Sequence, residues 1–153
     1  WGDAAAVAIG ACDRCLIVGG SGETSRSSAA AVVSLAARLG VPATRMTSVF
    51  NRLGGRGCGE EEALRFEMGT SLRSRVRIAD GGEDVRGMLS FGKLDALVAG
   101  NSAFAESVRT FAAQLLGELG CSVDKRLMAA SPQGETRGTK FRLPWRKRSG
   151  GAR

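Results

Sequence analysis

Three short segments with the patterns of strands recur along the first half of this chain, and each is followed by a stretch long enough to form a helix. They cover residues 15–18 (CLIV), 45–50 (RMTSVF) and 72–78 (LRSRVRI). Short apolar or alternating segments of this length are typical of strands, and helical segments between them are the crossovers that join parallel strands. We therefore expect an α/β fold with a mostly parallel sheet, covered by helices on both faces.

The segments between these runs carry signals for helices. Thr24 or Ser25 is suited to cap the first of them, and the acidic residues 60–62 (EEE) suit the positive end of the next helix. Residues 94–98 are expected to form an extended connector. Ser102 is expected to cap a last helix whose apolar stripe faces the core, with Phe104, Val108, Phe111, Leu115 and Leu119 at spacings of four, three, four and four.

Three strands are few for a doubly wound domain, because its central strands need neighbours on both sides. The chain also begins at Trp1 and not at methionine. We therefore expect an incomplete doubly wound sheet, part of which lies outside this chain. Residues 1–130 have the length and composition of one folded unit, and residues 131–153 are expected to be a disordered basic tail.

The net charge of +7 is concentrated in that tail. Residues 1–130 carry 15 basic and 14 acidic side chains, whereas residues 131–153 carry seven basic side chains and one acidic one. Binding of nucleic acid is therefore not expected of the folded part. The tail interleaves aromatic and basic groups, which suits an anionic membrane surface; contact with an acidic protein, with nucleic acid, or with solvent alone are the alternatives. The residues concerned are Phe141, Trp145, Arg146, Lys147 and Arg148.

Residues for nucleophilic or metal chemistry are scarce. The chain has no histidine, which excludes Ser-His-Asp and Cys-His catalysis within it. Cys12 and Cys15 form a C-x-x-C pair, for which a redox-active pair or half of a zinc site are the alternatives. Cys58 and Cys121 stand alone, so the second close pair of a structural zinc site is missing. We interpret the four cysteines as incidental or buried thiols in a reducing cytoplasm, and we expect neither a metal site nor a catalytic residue in this chain.

The glycine-rich segment at residues 16–33 (LIVGGSGETSRSSAAAVV) has the outline of a phosphate loop. A P-loop requires a lysine before its final Ser or Thr, and none follows here; a dinucleotide fingerprint requires a glycine where Ser25 stands. We interpret the segment as an ordinary turn between a strand and a helix. Weak anion binding at the N-terminus of that helix is the alternative.

Arginines alternate with apolar residues in the third run. Arg73, Arg75 and Arg77 are expected on one face of the strand, with Leu72, Val76 and other apolar side chains on the opposite face. This pattern predicts a strand at or near a sheet edge with one solvated face. An anion-binding stripe is the alternative.

Four stretches in order carry a resemblance to a known family. They are residues 12–40, 49–55 (VFNRLGG), 76–93 (VRIADGGEDVRGMLSFGK) and 101–119. Together they resemble the C-terminal half of ParA/MinD-type P-loop ATPases, closest to the CpaE/TadZ pilus-assembly branch. Leu94 stands where that family usually has proline. The resemblance implies a P-loop NTPase-like sheet whose N-terminal part is missing.

The resemblance assigns nucleotide recognition to two strand ends. Asn51 would read the adenine edge with its side-chain amide, and Arg52 would lie beside the base or ribose. Ala79 and Asp80 would line the same pocket with backbone groups. The bound nucleotide would be ATP, with the Walker A loop, Mg²⁺ and hydrolysis supplied by residues outside this chain. In the alternative, Asn51 only ends a strand in a turn.

The resemblance further implies a nucleotide-dependent localisation or assembly factor of a bacterial pilus or secretion system. Such a protein would be cytoplasmic and peripheral at the inner membrane, would dimerise when complete, and would contact proteins of that machinery. Two other functions remain open. One is a non-enzymatic scaffold with a degenerate nucleotide pocket, and the other is a DNA-partitioning relative.

Overall fold

The protein is an α/β structure built on an open sheet of three parallel strands. The structure, a computed structural model, describes residues 2–123. The strands are β1 (Cys15–Gly19), β2 (Met46–Leu53) and β3 (Ser74–Ala79), in the order β1-β2-β3. The predicted parallel sheet is therefore confirmed. The helices of the described part are α1 (Asp3–Ala11), α2 (Glu23–Arg38), α3 (Glu60–Thr70), α4 (Gly82–Ser90), α5 (Leu94–Ala99) and α6 (Ala103–Glu118), with a 3-10 turn at Ala43–Arg45.

The main core lies between the sheet and the helix pair α2 and α3. Phe50 of β2 and Phe66 of α3 are fully buried, with ring centroids 5.8 Å apart. Small residues of α2 let this helix approach the sheet closely, since Ala29 and Ala36 are also buried. Burial of two phenylalanines in contact is a large apolar contribution to folding, and it holds β2 as the central strand.

Helix α6 crosses the opposite face of the sheet. Its predicted cap is confirmed, because the Ser102 hydroxyl accepts a hydrogen bond from the backbone N–H of Ala105 at 3.1 Å. At its far end, Glu118 forms an ion pair with Arg14 at 2.5 Å, just before β1. The prediction that the whole apolar stripe of this helix is core was wrong. Val108 and Leu119 are exposed, because α6 contacts mainly β3 and α5.

Strand β1 is covered on one face only. Ile17 is 4 % exposed and belongs to the core, whereas its neighbours Leu16 and Val18 are 38 % and 61 % exposed. The expectation of helices covering the sheet on both faces is therefore wrong for β1. Within residues 2–123, helices α2 and α3 pack on one side, and α6 lies over β3 on the other.

Two local predictions fail, one for a tertiary reason and one because of a local hydrogen bond. Residues 94–98 belong to helix α5 and not to an extended connector, because helical folding lets Leu97 be buried where α5 packs against α4 and α6. Helix α2 begins at Glu23 with Gly22 as its cap. The Ser25 hydroxyl instead accepts a hydrogen bond from the Gly20 N–H, which occupies the oxygen that a cap would use.

Strand β3 is an edge strand of the described sheet, as the alternating pattern predicted. Its arginines, however, are not simply solvated. Arg77 donates to both carboxylate oxygens of Glu67, at 2.7 and 3.0 Å, and to Glu60 at 2.5 Å. The Glu67 side chain is only 4 % exposed, so this pair ties the sheet edge to α3.

No helix in residues 2–123 combines the length and the apolarity needed to cross a membrane. The predicted tail at residues 131–153 lies outside the described residues. The same holds for its proposed membrane contacts, Phe141, Trp145, Arg146, Lys147 and Arg148, and for the predicted domain boundary at residue 130.

Candidate functional site at the carboxyl ends of the strands

The four predicted site residues meet in one cleft. Asn51 and Arg52 come from the end of β2, and Ala79 and Asp80 from the end of β3, and all four line a cleft of about 280 Å³. Crevices at the carboxyl ends of parallel strands are the usual ligand sites of open α/β sheets. The structure thus brings together residues that are 28 positions apart in sequence, as the parallel topology requires.

The end of β2 has an irregular backbone that positions Asn51. The register with β3 shifts between Phe50 and Leu53, and Arg52 adopts a left-handed conformation with a φ of 66°. Such a conformation costs a non-glycine residue about 1–3 kcal/mol and is frequent at binding sites. The Asn51 side-chain oxygen accepts a hydrogen bond from the Arg52 N–H at 2.9 Å, which fixes the amide and leaves its NH₂ group to donate.

Glycine at position 55 allows the following loop to close against the cleft. A Cβ atom there would lie 3.0 Å from the Arg52 carbonyl oxygen and 3.0 Å from the Asp80 carboxyl carbon. The Gly55 N–H donates to that same carbonyl at 3.0 Å. The glycines of the VFNRLGG segment therefore have a structural role beside the cleft.

An ion pair spans the two strand ends. Arg52 donates from Nε to the Asp80 carboxylate at 3.2 Å, and the Asp80 N–H donates to the Leu53 carbonyl at 2.8 Å. The Ala79 N–H donates to the Ser107 hydroxyl of α6. The N–H groups of Ala79 and Asp80 are thus already engaged, and of the backbone groups predicted to line the pocket only their carbonyl oxygens remain to face a ligand. Any hydrogen-bond donor offered to a ligand by these four residues comes from the side chains of Asn51 and Arg52.

The rest of the cleft has an apolar wall that the sequence analysis did not assign to the site. Val85 and Leu89 of α4 and Phe104 of α6 line it, together with the backbone of the turn at residues 81–82. Val85 and Leu89 lie four positions apart on a predicted helix, which is a signal for a common face, but nothing in the sequence placed that face over Asn51.

These residues can accommodate a flat, partly apolar group. The apolar wall offers a stacking surface, and the Asn51 amide and the Arg52 guanidinium offer donors at the rim. The volume lies near the lower limit of about 300 Å³ for ligand clefts, which suits one base better than a whole nucleotide. The donor set fits the base of ATP, and the two cations that line the cleft, Arg52 and Arg86, already form ion pairs with Asp80 and Glu83.

A second cleft of about 330 Å³ lies beside the first and shares Asn51 and Arg52 with it. It is formed by the glycine-rich turn after β1, at residues 18–21, and by Cys58 and Ser25. At this turn the Gly22 N–H donates to the Glu62 carboxylate at 3.0 Å. That hydrogen bond is the main reason that the pKa of Glu62 lies below its usual value.

The glycine-rich turn therefore already holds a carboxylate of its own chain at the N-terminus of α2. The first glycine has a packing role, because a Cβ atom at Gly19 would lie 2.3 Å from the Phe66 ring. This agrees with the interpretation of the segment as a strand-to-helix turn. An external anion at the Gly22 amide would have to displace Glu62.

The cysteines show no arrangement that indicates chemistry. Burial and the neighbouring Cys12 raise the pKa of Cys15, so its thiol stays protonated at neutral pH. Cys58 is buried and donates to the Ser21 hydroxyl at 3.3 Å. All four cysteines are free thiols, and no metal-ligating cluster of cysteine, aspartate or glutamate occurs in residues 2–123.

Comparison with known proteins gives no match, so a functional assignment rests on the geometry of the cleft. No protein-family model matches the chain, and neither a curated protein nor a solved structure shows significant similarity to it.

Proposed function

We propose that the cleft at Asn51 binds the adenine base of ATP. The observation that carries this proposal is the convergence of Asn51, Arg52, Ala79 and Asp80 in one cleft beside an apolar wall. Hydrogen bonding from the fixed Asn51 amide and stacking against the wall would distinguish a base from other flat groups.

In this proposal the chain is the base-recognition part of a ParA/MinD-like P-loop ATPase of the CpaE/TadZ branch. The Walker A loop and Mg²⁺ ligands belong to residues outside residues 1–153, and the chain alone does not hydrolyse ATP. Leu16 and Val18 support this arrangement, because apolar side chains exposed on one face of a strand indicate a surface that another part of the protein covers. ATP would then control where the protein assembles with a pilus or secretion apparatus at the inner membrane.

A titration of the ¹⁵N-labelled chain with adenosine and then ATP tests base recognition by NMR. We expect the amide signals of residues 51–55 and 79–82 to shift with both ligands. The two affinities should agree within about threefold, because the only cations lining the cleft, Arg52 and Arg86, already pair with Asp80 and Glu83. Asn51→Ala should weaken adenosine binding by about five- to tenfold, the value of one hydrogen bond.

The chain offers a matched control. Asn101→Ala removes the other asparagine of the sequence, which is exposed and does not line the cleft, and it should leave the adenosine affinity unchanged. Equal affinities of wild type and Asn51→Ala, or shifts confined to other residues, would refute the base-binding role. Absence of adenosine binding would favour the scaffold, which would use the same exposed face of β1 as a contact surface.

A further inference from the structure

The outer edge of β3 presents backbone groups that pair with no strand in the described sheet. Strand β3 pairs with β2 on one side, and no other strand of residues 2–123 lies on its outer side. Two hydrogen bonds show which amides point outward. The Asp80 N–H points to β2, where it donates to Leu53, and the preceding Ala79 N–H points away from β2 and donates to Ser107.

Successive amides of a strand point to opposite sides, so the N–H groups of Arg75 and Arg77 share the outward direction of Ala79. Ser107 satisfies the last of these three amides. The other two form a short row at an open edge. Such a row is the template that a further strand uses when it adds to a sheet.

A groove of about 430 Å³ runs beside this edge. It lies between β3 and the facing stripe of α6, and Val76 and Phe111 provide apolar surface in it. Thr110, Gln114 and Glu106 provide polar groups along the helix side. A groove between an edge strand and a helix is the geometry in which β-strand addition places alternate side chains of an extended peptide.

The charges at this edge restrict what can bind. Arg75 and Arg77 lie on the α3 side of β3, where Glu67 and Glu60 are the acidic residues of the described part of the chain that form ion pairs with them. Arg75 is about half exposed, and its guanidinium is 3.6 Å from Glu67, which Arg77 already engages in two hydrogen bonds. Arg73, one residue before β3, is exposed and forms no ion pair within residues 2–123. Three arginines thus face two carboxylates.

We propose that the β3 edge binds an extended, acidic segment of a partner protein by strand addition, with acidic side chains towards Arg75 and Arg77 and aliphatic ones in the groove beside α6. Opposite charges on neighbouring strands stabilise a sheet and like charges destabilise it. A second copy of β3 in this position would oppose arginine to arginine, which disfavours self-pairing. Glu106 in the groove disfavours acidic side chains on that side and so favours an alternating pattern.

The probe is a fluorescein-labelled, amidated heptapeptide in which glutamate and valine alternate, titrated against the full chain at low ionic strength. We expect saturable binding by fluorescence anisotropy, with NMR shifts at the amides of residues 75 and 77. A peptide with lysine in place of glutamate should bind at least about tenfold more weakly, because it opposes the arginines.

Two substitutions at one position separate backbone pairing from charge. Arg75→Pro removes an outward-pointing amide and leaves the hydrogen bonds between β3 and β2 in place, a change that edge strands tolerate. It should weaken binding of the glutamate peptide by about tenfold or more. Arg75→Ala keeps the amide and loses only a half-exposed charge, and it should weaken binding by about threefold. Circular dichroism checks that the proline variant folds.

A peptide with alternate N-methylated residues provides a test that needs no variant, because it keeps the side chains and loses the donors for strand pairing. It should fail to bind in one of its two methylation registers. The proposal would be overturned if the glutamate peptide did not bind, or if the lysine peptide bound as tightly as the glutamate peptide. It would also be overturned if the proline and alanine variants bound the glutamate peptide equally, or if both N-methylated peptides bound as tightly as the parent peptide.

Discussion

The two edge strands of the described sheet differ in their chemistry. Strand β1 carries exposed Leu16 and Val18 beside buried Ile17, and no charged side chain lies within the strand. Strand β3 carries Arg75 and Arg77, which α3 holds through Glu67 and Glu60. Charged side chains are a common protection of a true sheet edge against unspecific pairing, whereas a continuous apolar run is typical of a strand covered on both faces.

This difference indicates that the two edges have different roles. Strand β3 has the composition of a permanent edge, one that admits only a partner of complementary charge. Strand β1 has the composition of an interior strand. We therefore regard the open face of β1 as the place where the proposed phosphate-binding part of the ATPase would join the sheet.

Truncation of two neighbouring side chains of β1 should give the largest difference in the free energy of unfolding. Ile17→Ala should lower the free energy of unfolding by about 2–4 kcal/mol, because it leaves a cavity in the main core. Val18→Ala should change it by about 0.5 kcal/mol or less, because this side chain is exposed. Urea denaturation of the two variants measures both. Similar losses would show that β1 is covered on both faces.

Glu67→Gln tests the attachment of β3 to α3. We expect a loss of about 2 kcal/mol in the free energy of unfolding, because a nearly buried carboxylate that receives two hydrogen bonds from Arg77 is replaced by a neutral amide. Glu61→Gln is the matched control, since its ion pair with Arg65 is exposed and should contribute much less. A loss for Glu67→Gln no greater than that of the control would contradict the view that this pair secures the edge.

The same carboxylate predicts a pH dependence. The hydrogen bonds from Arg77, more than any other cause, hold the pKa of Glu67 below its ordinary value of about 4.3. The stabilisation is therefore complete above that value and is lost as the pH falls through the lowered pKa of the folded state.

Urea midpoints of wild type and Glu67→Gln between pH 7 and pH 3 measure this loss. The gap between the two proteins should be constant down to about pH 4.5 and should narrow below it. Glu62, whose pKa is also lowered, is present in both proteins, so the gap isolates Glu67. A gap that stays constant to the lowest pH would be inconsistent with a titrating Glu67.

Single substitutions on the two edge strands should change self-association in opposite directions. Of the substitutions proposed here, these should have the smallest effect on the free energy of unfolding. Val18→Lys places a charge on the apolar edge and should reduce concentration-dependent association of the chain. Arg75→Val removes a charge from the other edge and should increase it. Light scattering over a concentration series measures both. An increase in association with Val18→Lys would contradict the view that the chain associates through the apolar surface of β1.

The sequence predicted the local elements well where a short-range signal decides them. Ser102 was identified as a cap because its hydroxyl bonds an amide three residues away, and β3 was identified as an edge strand from its alternation. Helix α5 was not predicted, because a helix of six residues shows too little periodicity in the sequence. The burial of Leu97 in the folded protein decides the conformation of this segment.

The site residues were predicted from the family resemblance and not from a short-range signal. Asn51 lies near the end of β2 and Asp80 directly follows β3, and the parallel pairing of the two strands brings these ends together. The apolar wall of Val85, Leu89 and Phe104 was not predicted, because it depends on how α4 and α6 lie over the strand ends. The base-binding role of Asn51 itself stays a prediction.

The sequence by itself determined the three strands, the crossover helices between them and the parallel sheet, because periodicity and crossover length act along the chain. Only the tertiary structure decided that Glu62 lies at the N-terminus of α2, that Glu67 holds Arg77, and that β1 is open on one face. These features depend on contacts between residues far apart in sequence, and such contacts leave no periodic signal in either partner.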